Sequence, residues 1–211
     1  FNSGGANTAM GFRALRNNTS GTQNIAIGNE ALSNNISGSV NVANGYYTLF
    51  SNISGSQNTG IGYQALVGNT AGNNNTAIGS LSLTNNKTGY SNVAIGAQAL
   101  RFSSDKSNLV AIGDSALYNN GQSSPLPWQA TANTAIGSKA LFLNLNGSDL
   151  TATGYNSLYN NTSGVANAAY GSLSLQYNTT GSANTAFGFS SLEINQTGSY
   201  NTGIGAQALR F

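Results

Sequence analysis

The side chains that most often do covalent and acid–base chemistry are scarce in these 211 residues. There is no histidine and no cysteine, and the acids number five: Glu30, Asp105, Asp114, Asp149 and Glu193. Without His or Cys there is no conventional catalytic triad and no zinc site. Cleaving a polysaccharide needs paired carboxylates, and these acids are scattered over unrelated positions. Gly60-Ile61-Gly62-Tyr63-Gln64-Ala65 and the stretch from Gly203 to Ala208 have the outline of a dinucleotide-binding glycine pattern. Both are ordinary copies of a repeat, with Gly for Ala at its third position, and no helix follows either. The chain is read as a non-enzyme, with no catalytic, cofactor-binding or metal-binding residue.

What the chain does have is a period. Twelve times a glycine is followed four residues later by a leucine, from Gly11–Leu15 to Gly205–Leu209. Successive glycines keep the step of Gly11, Gly28 and Gly45 throughout, except that Gly113 to Gly137 is seven longer. A short period of this kind means stacked, near-identical coils, each touching only its neighbours. The repeat runs Asn-Thr-Ala-Ile-Gly, two variable residues, Ala-Leu, then a polar return such as Asn-Asn-Thr-Ser-Gly. With the first Asn as position one, this segment alternates as a strand with one buried face should. Position two (Thr59, Thr76, Val93), position four (Ile61, Ile78, Ile95) and the leucines are expected inside, with two short strands and two turns per coil. A second glycine column, from Gly4 to Gly198, is assigned to turns that need positive φ. Asn at position one, from Asn7 to Asn201, is read as an internal amide ladder. The predicted fold is an all-β, parallel β-solenoid or β-roll of about twelve coils. It is one continuous domain over residues 1–211, a rod of roughly 55 Å at about 4.8 Å per coil.

Positions three and eight never hold a large side chain. By alternation both face away from the coil's own core. They reflect either tight internal packing at turns or a close interface with parallel copies of the same chain. The thin core favours the second: about three modest inward side chains per coil stand against an ordering cost of roughly 1–2 kcal/mol per residue. The residues put forward for that interface are Ala9, Ala26, Ala77 and Ala94 at position three, with Ala99 and Ala116 at position eight.

Charged residues make up only 6% of the chain, against about 25% in an ordinary globular domain. In a stack, a column of like charges repels, whereas a column of Asn or Thr hydrogen-bonds along the axis. A net charge of +2 is too small to imply nucleic acid or an anionic membrane as partner. No apolar run approaches the roughly 20 residues of a membrane span, so no direct membrane insertion is expected. Absence of Cys excludes a disulfide framework. The Asn-x-Ser/Thr triplets are glycosylation acceptors or products of composition. Because the sequence opens and closes in mid-repeat, it is expected to be a segment of something longer.

One region breaks the pattern. Seven extra residues fall within 119–132, in the return of the seventh coil, together with Pro125, Pro127 and Trp128, the only tryptophan. The sixth return reads Arg101-Phe102-Ser103-Ser104-Asp105-Lys106-Ser107, with Lys106 in place of the turn glycine. Stacking is expected to gather Phe102, Asp105, Lys106, Leu126 and Trp128 into one protrusion. Interruptions of a repeat array often carry binding function. This one is a receptor or glycan contact, a clasp onto a neighbouring chain, or a neutral insertion. In the first two cases Trp128 should lie against Phe102, Pro127 or an adjoining chain.

Asn-Thr-Ala-Ile-Gly followed by Ala-Leu or Ser-Leu resembles the Asn-Ser-Val-Ala-Ile-Gly repeats of YadA-like heads in trimeric autotransporter adhesins. It is closer still to Asn-Thr-Ala-Ile-Gly repeats of bacterial and phage tail-fibre-like proteins. The resemblance covers essentially the whole chain. It implies a left-handed parallel β-roll, three chains side by side, in the outer part of an extracellular fibre, although the adhesin repeats are shorter than these. The expected function is a structural and adhesive, non-catalytic segment of a homotrimer. Its partners are itself and possible host-surface receptors, glycans or matrix components; neither nucleic acid nor any cofactor is implied. Two alternatives are weighed against it. Ice binding needs an outward Thr array, and the mixed Thr, Val and Ile of position two suit a buried strand better. A polysaccharide-binding or -cleaving phage fibre lacks its carboxylate pair within any one coil.

Overall fold

A computed structural model of the chain describes residues 3–122, 124 and 126–211. The chain folds into two compact units, Phe1–Ser107 and Asn108–Phe211. The first holds strands β1 (Thr8–Met10), β2 (Ile25–Ile27), β3 (Val42–Asn44), β4 (Thr59–Ile61), β5 (Thr76–Ile78) and β6 (Val93–Ile95). The second holds β7 (Val110–Ile112), β8 (Thr134–Ile136), β9 (Thr151–Thr153), β10 (Ala168–Tyr170), β11 (Thr185–Phe187) and β12 (Thr202–Ile204). Within each unit, consecutive strands pair in parallel and in register, Ile61 opposite Ile78 and Ile112 opposite Ile136. Each unit is a β-solenoid, and among the described residues there is no α-helix.

Among the described residues each coil has one strand, not the expected two. The stretch through the leucine wraps as consecutive turns, because Leu32 and Leu66 have φ of 53° and Glu30 and Gln64 have φ of 56° and 55°. A backbone that is left-handed at every second residue cannot lie extended. For an L-residue this costs roughly 1–2 kcal/mol. Burial of the leucine offsets it, along with hydrogen bonds to adjacent coils such as Leu66 N to Ser82 O at 3.1 Å and Gln64 N to Tyr46 O at 2.9 Å.

The strands also face the opposite way from expectation. Position three is inside: Ala26, Ala43, Ala77, Ala94, Ala111 and Ala135 are fully buried. Positions two and four face out. The coil is narrow, and the space across from the strand is filled by the leucine, so only a methyl group fits opposite it. After Thr48, the largest side chain at position eight, position three of the next coil is Gly60, whereas Ser82, Ser157 and Ser174 are followed by Ala94, Ala169 and Ala186. A Cβ on Gly60 would fall 2.6 Å from Thr48 Cγ2, and one on Gly203 2.7 Å from Ser191 Oγ. Thr48 thus accounts for Gly60, one of the two glycines that imitate a dinucleotide-binding pattern.

Two amide ladders fill the rest of the interior. At position one, Asn41 Nδ2 donates to Asn24 Oδ1 (3.1 Å) and to Gly55 O (2.9 Å). In the return, Asn35 Nδ2 donates to Asn18 Oδ1 (2.7 Å) and to Gly38 O (2.9 Å). Gly38 O also accepts from Asn24 Nδ2 at 2.9 Å, so both ladders converge on one column of glycine carbonyls. That column, expected to need positive φ, does not have it. Its glycines are required by close approach, since a Cβ on Gly38 would fall 2.5 Å from Asn35 Oδ1 and nearer still to the carbonyl of Gly55. The left-handed glycines are those after the strand, such as Gly45 (φ 142°) and Gly62 (φ 124°). The return ladder also contains Asn35, Asn52, Asn161 and Asn178, which head Asn-x-Ser/Thr triplets and are fully buried. Glycosylation at these positions would require the coil to open.

Candidate functional site

The five residues of the expected protrusion are divided between the two units. In the first, Phe102 is half-buried beneath the Arg101 guanidinium, 5.3 Å from the ring centre. Lys106 is 1% exposed, with Nζ 3.6 Å from Oδ1 of the exposed Asp105. A lysine so deeply buried presents nothing to a ligand. Its role is internal, and this corrects its place among the contact residues.

In the second unit the insertion leaves the return without disturbing the coil. Asn120 keeps its ladder place: its Nδ2 donates to Ala130 O (2.8 Å), and its Oδ1 accepts from Asn144 Nδ2 (2.7 Å). Leu117 N donates to Ala140 O at 3.0 Å, so Leu117 and Leu141 remain on adjacent coils as expected. The excursion ends in a tight turn carrying Leu126, Pro127 and Trp128; Ser123 and Pro125 lie outside the described residues. Gln129 N donates to Leu126 O at 3.2 Å. The Trp128 carbonyl accepts from Thr131 Oγ1 (3.0 Å) and Ser148 Oγ (3.1 Å). The backbone is pinned, yet Trp128 is 68% exposed and Leu126 38%. The indole is thus held out to solvent and not folded onto its own chain. No charged residue lies between Asp114 and Lys139 in the sequence, and the adjacent coil brings Asp149 alongside the turn, its N donating to Thr131 O at 3.2 Å.

The six alanines put forward for an interface do not form a surface. Ala26, Ala77, Ala94, Ala99 and Ala116 are fully buried inside single coils; Ala9, in the edge strand β1, is exposed. Sequence reasoning attached the signal of persistent small side chains to the wrong side of the strand. The outward face carries instead Ile61 and Ile78 in the first unit, and Ile112, Ile136, Tyr170 and Phe187 in the second, each 36–58% exposed. Aromatic stacks were also missed. Tyr118, Phe142 and Tyr159 stack at 4.9 and 5.1 Å, and Tyr46 on Tyr63 at 5.6 Å. Their signal was available, because the partners hold the same position of successive repeats, on either side of the insertion as well as within the regular array.

Three of the five acids are engaged with bases. Glu30 Oε1 accepts from Arg13 Nη1 (3.0 Å) and Glu193 Oε2 from Arg210 Nε (2.9 Å), while Asp105 pairs with Lys106. A hydrogen bond from Ser33, and then Arg13, hold the Glu30 carboxyl below the ordinary carboxylate range. A groove opens on the return side of the first unit, with a cavity volume of about 560 Å³. Ile36 and Ile53 form its floor, with Asn17, Asn34 and Ser51 along it. Among the described residues no helix is long and apolar enough to cross a membrane. No protein-family model, curated protein or solved structure matches this chain.

Proposed function

We propose that the chain is a structural and adhesive segment of a homotrimeric extracellular fibre, acting by stiffness and multivalent display and catalysing no reaction. The observation that carries this reading is the outward sheet face of each unit. Its isoleucines Ile61, Ile78, Ile112 and Ile136 are 36–40% exposed, in columns without a charged side chain. Monomeric proteins rarely leave a contiguous apolar band in water. The occupant that fits is a parallel copy of the same chain, since an identical repeat length keeps both sets of rows level from coil to coil. The number three follows the resemblance to YadA-like heads. Association therefore uses positions two and four in place of the six alanines. Light scattering tests it: the natural chain should be trimeric, and Ile78→Lys with Ile136→Lys monomeric with an unchanged circular dichroism spectrum. A natural chain that is monomeric at micromolar concentration overturns the reading.

Trp128 supplies the outside contact, with a surface receptor, glycan or matrix component. A pinned backbone beneath an exposed indole is pre-organised for such a contact. Trp128→Ala should abolish adhesion and leave the trimer intact; a loosened trimer would make the turn a clasp instead.

Ice binding gains from one observation. Thr59, Thr76, Thr134, Thr151 and Thr185 stand at position two, beside the inward alanines, so this column faces out and the objection drawn from a buried strand falls. Asn44, Tyr170 and Phe187 interrupt the neighbouring column. Thermal hysteresis by the natural chain would favour that second reading.

A further inference from the structure

The return of the sixth coil departs from the ladder in two places at once. In the regular coils the return Asn holds its amide nitrogen twice: Asn86 Nδ2 donates to Asn69 Oδ1 (2.7 Å) and to Gly89 O (3.0 Å). The next coil has Ser103 in place of that Asn and Lys106 in place of the Gly. Asn86 and Ser103 are fully buried, and Asn86 Oδ1 and Ser103 Oγ meet no hydrogen-bonding group among the described residues. Buried polar atoms without partners are rare in folded proteins.

The two replacements are linked by sterics. A Cβ at the return glycine collides with the ladder oxygen of its own coil, as Gly38 would with Asn35 Oδ1 at 2.5 Å. A lysine at this position therefore requires the amide to be cut back, and serine removes that oxygen. The Lys106 Cβ takes the place of that oxygen, and the place of the amide nitrogen, which Ser103 does not fill, is left for a group the size of one water. The ladder nitrogen is less crowded than the oxygen: a Cβ on Gly89 has no contact with Asn86 Nδ2 among its three nearest, the third of which is at 3.2 Å.

We propose that the sixth coil holds one buried water molecule where the missing amide nitrogen would lie. An NH2 group and a water each offer two donor hydrogens. The water donates to Asn86 Oδ1 and toward the Lys106 carbonyl, which stands in the place of Gly89 O and already accepts from Asn92 Nδ2 at 2.9 Å. Unlike the amide, it also accepts, and takes the proton of Ser103 Oγ. Three hydrogen bonds are typical of a buried water. The ligand class is set by this geometry: small, neutral, and able to donate twice while accepting once.

Ser103→Ala decides the matter. If a water bridges the two atoms, removing the hydroxyl strips it of a partner, and Tm should fall by about 2–4 °C. If no water is present, the substitution deletes an unpaired buried hydroxyl, and Tm should stay level or rise, which overturns the proposal. A crystal structure of the natural chain gives a readout that does not depend on the variant folding. Ordered density within hydrogen-bonding distance of both Asn86 Oδ1 and Ser103 Oγ supports the site, and its absence overturns it.

Discussion

The return of the sixth coil keeps its length and changes its interior residues; the return of the seventh keeps its ladder residue and gains seven residues. The outcomes differ. The seventh keeps Asn120 bonded to the next rung, Asn144, with Ala130 O standing in for the glycine carbonyl. The sixth leaves Asn86 Oδ1 and Ser103 Oγ without a partner among the described residues. Extra length escapes through the turn into solvent, where loop closure grows only slowly with length. A changed interior residue has nowhere to go, because each column is packed between two copies of itself. The coil is thus tolerant along its perimeter and intolerant along its axis.

The largest test of that contrast is a regular coil. Ala77→Arg or Ala99→Arg places a charge where the chain leaves no exposed surface, and should destabilise by more than about 4 kcal/mol in urea unfolding. Normal folding with lost assembly would return these alanines to the surface and undo the inward assignment of position three. Next comes the linked pair of the sixth coil. Ser103→Asn alone should cost on the order of 1–3 kcal/mol by overpacking against Lys106. With Lys106→Gly added, the ladder is rebuilt and stability should exceed that of the natural chain by roughly 1 kcal/mol. An additive double-mutant cycle would show that the two replacements are independent.

Smaller effects probe the perimeter. Deleting the seven extra residues of the insertion should change stability by no more than about 0.5 kcal/mol while abolishing adhesion. A clear loss of Tm would make the turn a clasp between chains. Smallest is the acid dependence of Glu30. Its folded carboxyl is held below the ordinary value of 4.5, so its contribution is present above that pH and is lost as pH falls through the depressed folded value. The difference in Tm between the natural chain and Glu30→Gln should therefore shrink on acidification below pH 4.5. A difference that grows there would contradict the assigned direction.

Much of the fold was legible in the sequence. The Gly–Leu spacing gave the period and the parallel register, and the one longer step, from Gly113 to Gly137, placed the insertion in a return, where the coil tolerates it. The Asn of position one was recognised as a ladder. The return Asn was taken only as turn chemistry, since Asn beside Gly in a polar stretch reads the same way whether its amide points in or out. Of the expected contact residues, Trp128 and Leu126 are exposed, at positions that stand out in the sequence because proline and tryptophan are rare in so polar a chain. Lys106 is buried instead: a charged residue in a turn is expected at the surface, and nothing in its type signals that Ser103 makes room for its stem.

By itself the sequence determined that coils of one repeated length stack in register, which positions recur in columns, and where the stack is interrupted. The facing of the strand was decided only in three dimensions. Alternation has a period of two and looks the same when the strand is turned over. With Ala on one side and Thr or Ile on the other, hydrophobicity alone favours burying the isoleucine. What reverses that choice is the width of the closed coil. Leu66 and Leu83 already span the interior together with the amide ladders, and the strand can approach them only through Ala77 and Ala94, all four fully buried.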